Sequence, residues 1–171
     1  MKDLQGKTAL VTSATRGIGL ACALRLAESG ARVFLAVRRL DAGEALCAQH
    51  GLKGYQMEAV YFDAAKKESY APMVEETVRR GGKIDVLVNN FGMGRPAEDL
   101  DVVGGSEAAF FELLDLNLGS VYRISKLVIP HMPEGGSIVN ISSIGGCIPD
   151  VTRTGYGVSK AAVNSLTKQI A

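Results

Sequence analysis

Two side chains near the end of the chain have the spacing of a proton-transfer pair. Tyr156 and Lys160 stand four apart in YGVSKAAVNSLTKQIA, which reads as a helix from about residue 155. Both therefore lie on one helical face, about one turn apart. An ammonium so placed favours the phenolate form of a phenol, and a phenol poised between its two forms can act as general acid and base. The same spacing also occurs in ordinary surface pairs of helices. Ser143 adds to it, because it falls at the end of a predicted strand, and the carboxyl ends of parallel strands are where such sheets bind ligands. Its hydroxyl could hydrogen-bond a substrate oxygen. Asn117, in the LNLGS stretch of a long predicted helix, is out of place on propensity. Its amide either has a task or is a satisfied core asparagine, and both readings stand.

A second cluster would bind rather than react. The first predicted strand runs into Thr12-Ser13-Ala14-Thr15-Arg16-Gly17-Ile18-Gly19 and on into a helix. A helix N-terminus offers unpaired N–H groups and the positive end of its dipole, and glycines let the backbone approach a pyrophosphate. Two glycines at such a turn also serve as plain packing devices in many α/β proteins. After the second strand the chain reads Val37-Arg38-Arg39, where an NAD-selective site would place an acid on the ribose 2′-hydroxyl. Arg38 and Arg39, joined by Arg16, could instead grip a 2′-phosphate, which favours NADP(H) over NAD(H). Other patterns are decoys. Gly6-Lys7-Thr8 mimics the end of a Walker motif but precedes the strand, with Met1 where the first glycine belongs. Asn140-Ile141-Ser142 matches a glycosylation acceptor inside an apolar strand. His50 and His131 read as surface or packing residues, and without a Cys/His/carboxylate cluster no catalytic metal is expected.

The elements that must position these residues alternate. Short apolar runs at 8–12, 33–37, 58–62, 84–89 and 137–142 read as strands, separated by stretches long enough for crossover helices. Runs such as VFLAV and SIVNI are continuously apolar, the pattern of strands covered on both faces. The expectation is an α/β fold with a doubly wound parallel sheet, five strands and helices on both faces. The first helix, about 17–29, is apolar nearly all round and should be buried, with Gly30 as its left-handed cap. Asp41 is expected to cap the second helix and Gly51 to end it, and Gly81-Gly82 to close the third. A glycine-rich loop at 92–105 leads to a long helix at about 107–129. The last helix stops at Ala171 without a capping glycine or a following strand, so the chain reads as cut in mid-helix.

Composition bounds the rest. With 171 residues, 47% hydrophobic, 22% charged and a net charge of +1, one domain spanning 1–171 is expected, and neither disorder nor a nucleic-acid footprint. Cys22, Cys47 and Cys147 are too few and too scattered for a disulfide framework. No stretch has the length of a membrane span or the apolar core of a signal peptide. A cytoplasmic protein without membrane association is expected.

Taken together the residues resemble the short-chain dehydrogenase/reductase family along the whole chain. Thr12 to Gly19 is similar to its cofactor turn, Asn89-Asn90-Phe91-Gly92 to its NNAG element, and Asp63 to the acid that meets the adenine. Asn117, Ser143, Tyr156 and Lys160 are similar to its catalytic tetrad. Ser13 and Phe91 depart from it, standing where a glycine and an alanine are usual. The strings TSATRGIG, AVRR and NISSIGGCIPDVTRTGY are further similar to bacterial NADP-dependent bile-acid hydroxysteroid dehydrogenases of the 7α type.

The resemblance implies a Rossmann-type fold lacking the family's last strands and helices, and hydride transfer between NADP(H) and a secondary alcohol or ketone. Tyr156 would move the proton and Lys160 would assist it and hold the nicotinamide ribose. Ser143 would place the substrate oxygen, and Asn117 would hold a water leading to Lys160. Thr12, Ser13, Thr15, Arg16, Gly17, Ile18, Gly19, Arg38, Arg39, Asp63, Asn90 and Gly92 would hold the cofactor. Phe91, Met93, Ile144, Ile148 and Val151 suit an apolar substrate such as a steroid, or are core. A homodimer or homotetramer is implied. The rival readings are reduction of a 3-oxoacyl thioester, another nucleotide-binding enzyme such as a methyltransferase, and a non-catalytic nucleotide-binding fragment.

Overall fold

Every residue of β1 (Thr8–Thr12, TALVT) is buried, and all but the first of β2 (Arg32–Val37, RVFLAV). Strands with no polar face must be covered on both sides, and these two lie at the middle of the sheet. The computed structural model describes residues 3–171. Met1 and Lys2, at the start of the segment read as lacking a signal-peptide core, lie outside the described residues. The five strands run in the order β3-β2-β1-β4-β5, with β3 at Met57–Tyr61, β4 at Val86–Asn89 and β5 at Ser137–Asn140. Parallel pairing sets Leu10 against Phe34 on one side and against Leu87 on the other. This is the doubly wound Rossmann-type sheet.

The chain forms two compact units, Met1–Asn90 with Ile124–Val139, and Phe91–Arg123 with Asn140–Ala171. In the first, the core is Leu10, Val11, Phe34, Leu35, Ile84 and Leu87, all fully buried. Helix α1 (Gly17–Glu28) buries only the stripe Gly19, Ala23 and Ala27, while Ile18 is 60% exposed. A helix lying on a sheet covers one stripe, so apolar residues elsewhere on α1 stay exposed, and here the covered stripe is made of small residues that allow a close approach. Gly30 follows α1 at φ +98, as the left-handed cap requires. Asp41 does not cap α2 (Leu40–Gly51). Arg39 occupies that position, and Asp41 sits in the first turn with its carboxylate 2.7 Å from the Arg39 guanidinium. Helix α3 (Tyr70–Gly81) closes at Gly82, φ +80.

Strand β5 also departs from expectation. Ser137 and Val139, which share a face, are both exposed, Val139 by 44%. Its apolar run conceals an alternation.

In the second unit Ser106 accepts from the Ala109 N–H at 3.3 Å and starts α4 (Glu107–Leu113). The helix then widens into a π turn over Leu114–Leu118 before continuing as α5 (Gly119–Val128). Helix α6 spans Thr154–Gln169. Leu113 and Val163 are fully buried in this unit.

Candidate active site

The turn from β1 to α1 is held open by its own backbone. Ser13 has φ +55, and among the described residues no other non-glycine has positive φ. The left-handed conformation costs a side-chain-bearing residue roughly 1–2 kcal/mol, so the serine is strained where a glycine would not be. Three hydrogen bonds hold it there. Its N–H donates to the Ala36 carbonyl at 2.8 Å, and Asn90 Nδ2 donates to the carbonyls of Thr12 (3.1 Å) and Ser13 (3.2 Å). The Asn90 amide is therefore spent on bracing the turn. A methyl group on Gly19 would lie 2.5 Å from Asn90 Nδ2 and 2.7 Å from the Ser13 carbonyl, so only glycine permits this closure.

The turn fits a dinucleotide phosphate. Gly17, at φ +57, faces open space. The first turn of α1 has no side-chain cap and no acidic residue, leaving its N–H groups to an anion. Thr15 is half-buried, and Arg16 and Ile18 are exposed beside it.

At the end of β2 the two arginines differ. Arg38 is exposed and has no partner among the described residues. Arg39 is clamped by Asp41 through Nη2 at 2.7 Å and Nε at 3.3 Å, which raises the arginine's pKa and lowers the aspartate's. Asp63 follows β3 in a tight turn. Its N–H donates to Ser69 Oγ (3.1 Å), and its Oδ1 accepts from the Ala65 N–H (3.1 Å).

The second unit brings all four tetrad candidates together. Asn117 lies in the π turn, fully buried. Its Oδ1 accepts from the Met93 N–H at 2.9 Å, and its Nδ2 donates to the Met93 carbonyl at 2.9 Å and to Ser159 Oγ at 3.0 Å. Ser159 donates in turn to the Tyr156 carbonyl at 2.7 Å. π turns recur at functional sites because they break helical spacing and re-aim side chains. Lys160 is buried, with Nζ donating to the Ile141 carbonyl at 2.9 Å and lying 5.9 Å from the centre of the Tyr156 ring. Burial pushes its pKa down. A methyl group on Gly92 would stand 2.8 Å from that Nζ. Ser143 Oγ accepts from the Gly145 N–H at 3.2 Å, and a methyl on Gly145 would be 3.6 Å from Ser143 Oγ and 3.9 Å from the Tyr156 ring.

Beside this cluster is a groove of about 310 Å³ lined by Gly145, Ile148, Val151, Val158 and Ala161 among others. Ile144, Ile148 and Val151 are 71%, 59% and 73% exposed, so they are not core residues. Phe91 and Met93 are half-buried. Sequence reasoning missed Ser159, although it follows Tyr156 by one helical turn and so shares its face. It also missed the pairing of Asp41 with Arg39. His50 is buried against Tyr55 in a stacked ring contact. Among the described residues no group of three or more His, Cys, Asp or Glu could hold a metal ion, and no helix is long and apolar enough to cross a membrane.

A family model described as short chain dehydrogenase matches residues 7–171. The chain is 58% identical over 173 residues to a 7alpha-hydroxysteroid dehydrogenase of Paraclostridium sordellii, covering 100% of this chain and 65% of that protein. A 7alpha-hydroxysteroid dehydrogenase of Clostridium sardiniense is 47% identical, with 100% and 66% covered. Among solved structures, a gluconate 5-dehydrogenase from Burkholderia cenocepacia J2315, in complex with NADP and tartrate, superposes with a TM-score of 0.89 at 31% identity over 99% of this chain and 66% of its own. The chain thus spans about two thirds of the length of these relatives.

Proposed function

The chain belongs to the short-chain dehydrogenase family, and from that premise we propose that it serves an NADP(H)-dependent oxidoreductase that interconverts a secondary alcohol and its ketone. The substrate we propose is a bile-acid hydroxyl, at the 7α position first and 12α second. The observation that carries the reading is the cluster of Asn117, Ser143, Tyr156 and Lys160 within one compact unit, because a module that only binds nucleotide has no use for it. The nicotinamide, when bound, supplies the hydride acceptor or donor. In the oxidative direction Tyr156 takes the hydroxyl proton as the carbinol hydrogen leaves with its electron pair, and the products are the ketone, reduced cofactor and a proton.

Ser143 Oγ already accepts from the Gly145 N–H, so its own proton is available to a substrate oxygen. Lys160, with its ammonium 5.9 Å from the centre of the Tyr156 ring, would favour the phenolate that accepts this proton and would hold the nicotinamide ribose. Asn117 fixes the backbone at Met93 and, through Ser159, the helix carrying Tyr156. The turn at Thr12, Ser13, Thr15, Arg16, Gly17, Ile18 and Gly19 would hold the pyrophosphate, with Arg38 on the 2′-phosphate and Asp63 toward the adenine. Asn90 would keep that turn open and Gly92 leave room for Lys160.

Exposed Ile144, Ile148 and Val151 support an apolar alicyclic substrate, and the two named clostridial relatives support the steroid. A cytoplasmic homodimer or homotetramer accords with the same reading, and Phe111 and Tyr122, 58% and 52% exposed on α4 and α5, support association. A panel of 7α-, 12α- and 3α-hydroxysteroids, short alcohols and a 3-oxoacyl thioester, followed by NADPH absorbance, tests the proposal. Turnover of the 7α-hydroxysteroid is expected. Activity confined to the thioester or to short polar alcohols would overturn the substrate, and activity on none would overturn the catalytic reading.

A further inference from the structure

The helix that carries Tyr156 and Lys160 begins without a cap of its own. Arg153 occupies the N-cap position of α6, makes no side-chain capping bond, and gives its guanidinium to Asp150 instead. Leaving the first N–H groups of a partly buried helix unpaired is costly. They are satisfied from a distant point in the sequence. Asp99 is buried, 4% exposed, and its Oδ1 accepts from the Gly155 N–H at 2.6 Å while its Oδ2 accepts from the Tyr156 N–H at 2.9 Å.

The loop bearing Asp99 is itself tied down. The Asp99 N–H donates to the Arg95 carbonyl at 2.7 Å, the Thr154 N–H donates to the Leu100 carbonyl at 3.1 Å, and the Arg95 guanidinium reaches Glu112 at 2.6 Å. A methyl group on Gly155 would lie 3.1 Å from Asp99 Oδ1 and 3.2 Å from Leu113, so a side chain there would press on the contact.

We propose that Asp99 is a positioning residue for the reaction, a remote cap that fixes the backbone of Tyr156 and with it the aim of the phenol. This rests on Tyr156 being the proton carrier. Charge-assisted bonds from a carboxylate to two consecutive helix N–H groups are short and directional. They fix the first turn of α6 at the residue whose placement matters most, since a displacement of about 1 Å at a reacting group can cost up to 10²-fold in rate.

The test compares the protein with Asp99→Asn, which keeps one acceptor oxygen, and Asp99→Ala, which keeps none. Three quantities are measured: NADPH affinity, kcat per bound NADPH on the best secondary alcohol of the panel, and amide hydrogen exchange at Gly155 and Tyr156. In the Ala variant kcat per bound NADPH should fall at least tenfold, with KM and NADPH affinity little changed, and the two amides should exchange faster. The Asn variant should fall between, and it decides the matter if the Ala variant does not fold. Unchanged kcat per bound NADPH in both variants would overturn the proposal, because a merely structural role lowers the number of binding sites and not the turnover of each. If the unaltered protein turns over no secondary alcohol, the proton-carrier reading fails by itself. Exchange at the two amides then decides the cap, and unchanged exchange overturns it.

Discussion

Asn117 Nδ2 donates to Ser159 Oγ at 3.0 Å, joining the π turn to the helix of Tyr156 and Lys160. Ser159 passes the constraint on, donating to the Tyr156 carbonyl at 2.7 Å. Asn117 also clamps Met93 through both its N–H and its carbonyl. An asparagine that looks misplaced in a helix is thus fully paired, and its pairing bears on the reaction centre. Removing it leaves buried polar groups without partners.

Asn117→Ala is therefore expected to destabilise the fold by about 2–3 kcal/mol, the scale of buried groups stripped of their bonds. Ser159→Ala, which breaks the bonds to Asn117 and to the Tyr156 carbonyl but leaves the Met93 clamp intact, should cost less, about 1–2 kcal/mol. Denaturant melts of both variants check this. Equal and negligible losses would mean that the clamp is not a structural element.

At the end of β2, Arg38→Ala should weaken NADPH binding at least tenfold, because a charge-assisted contact to phosphate is worth on the order of 1.5–3 kcal/mol. NADH binding should barely move. Arg39→Ala should do less, since that guanidinium is already committed to Asp41. Titrations of both cofactors against both variants read the difference, and a larger loss at Arg39 would contradict the assignment.

Burial holds the Lys160 ammonium below its ordinary value of 10.5. A folded value below the unfolded one means that the charged form is penalised in the fold. The penalty is full below the folded value and vanishes as pH climbs past the unfolded one. Stability relative to Lys160→Met should therefore rise as pH increases toward about 10.5. Denaturant melts near neutral pH and near the upper limit test the sign, and native stability that falls relative to Lys160→Met with rising pH would contradict it.

Much of the molecule was legible because its signals are local. The bounds of β1 and the last residue of β2 follow from unbroken apolar runs, and the turn from β1 into α1 from two glycines between a strand and a helix. That Tyr156 and Lys160 share one helical face follows from their spacing. What stayed hidden depends on residues far apart in sequence or in competition. Asp99 reaches Gly155 across 56 positions, and no periodicity announces such a bond. Aspartate favours the cap position that Asp41 is expected to fill, yet the neighbouring guanidinium of Arg39 takes its carboxylate. The exposed face of β5 was concealed because valine and isoleucine read as buried whichever way they point.

The most direct test of proton transfer by Tyr156 is turnover of Tyr156→Phe on the preferred hydroxysteroid, with NADPH affinity measured on the same sample. The phenylalanine keeps the ring that lies 5.9 Å from Lys160 Nζ and removes the transferable proton. Turnover should fall by about 10²-fold or more, the typical contribution of a general acid or base, while NADPH affinity stays unchanged. Near-normal turnover in a variant that still binds NADPH would contradict the account and leave Tyr156 a structural residue.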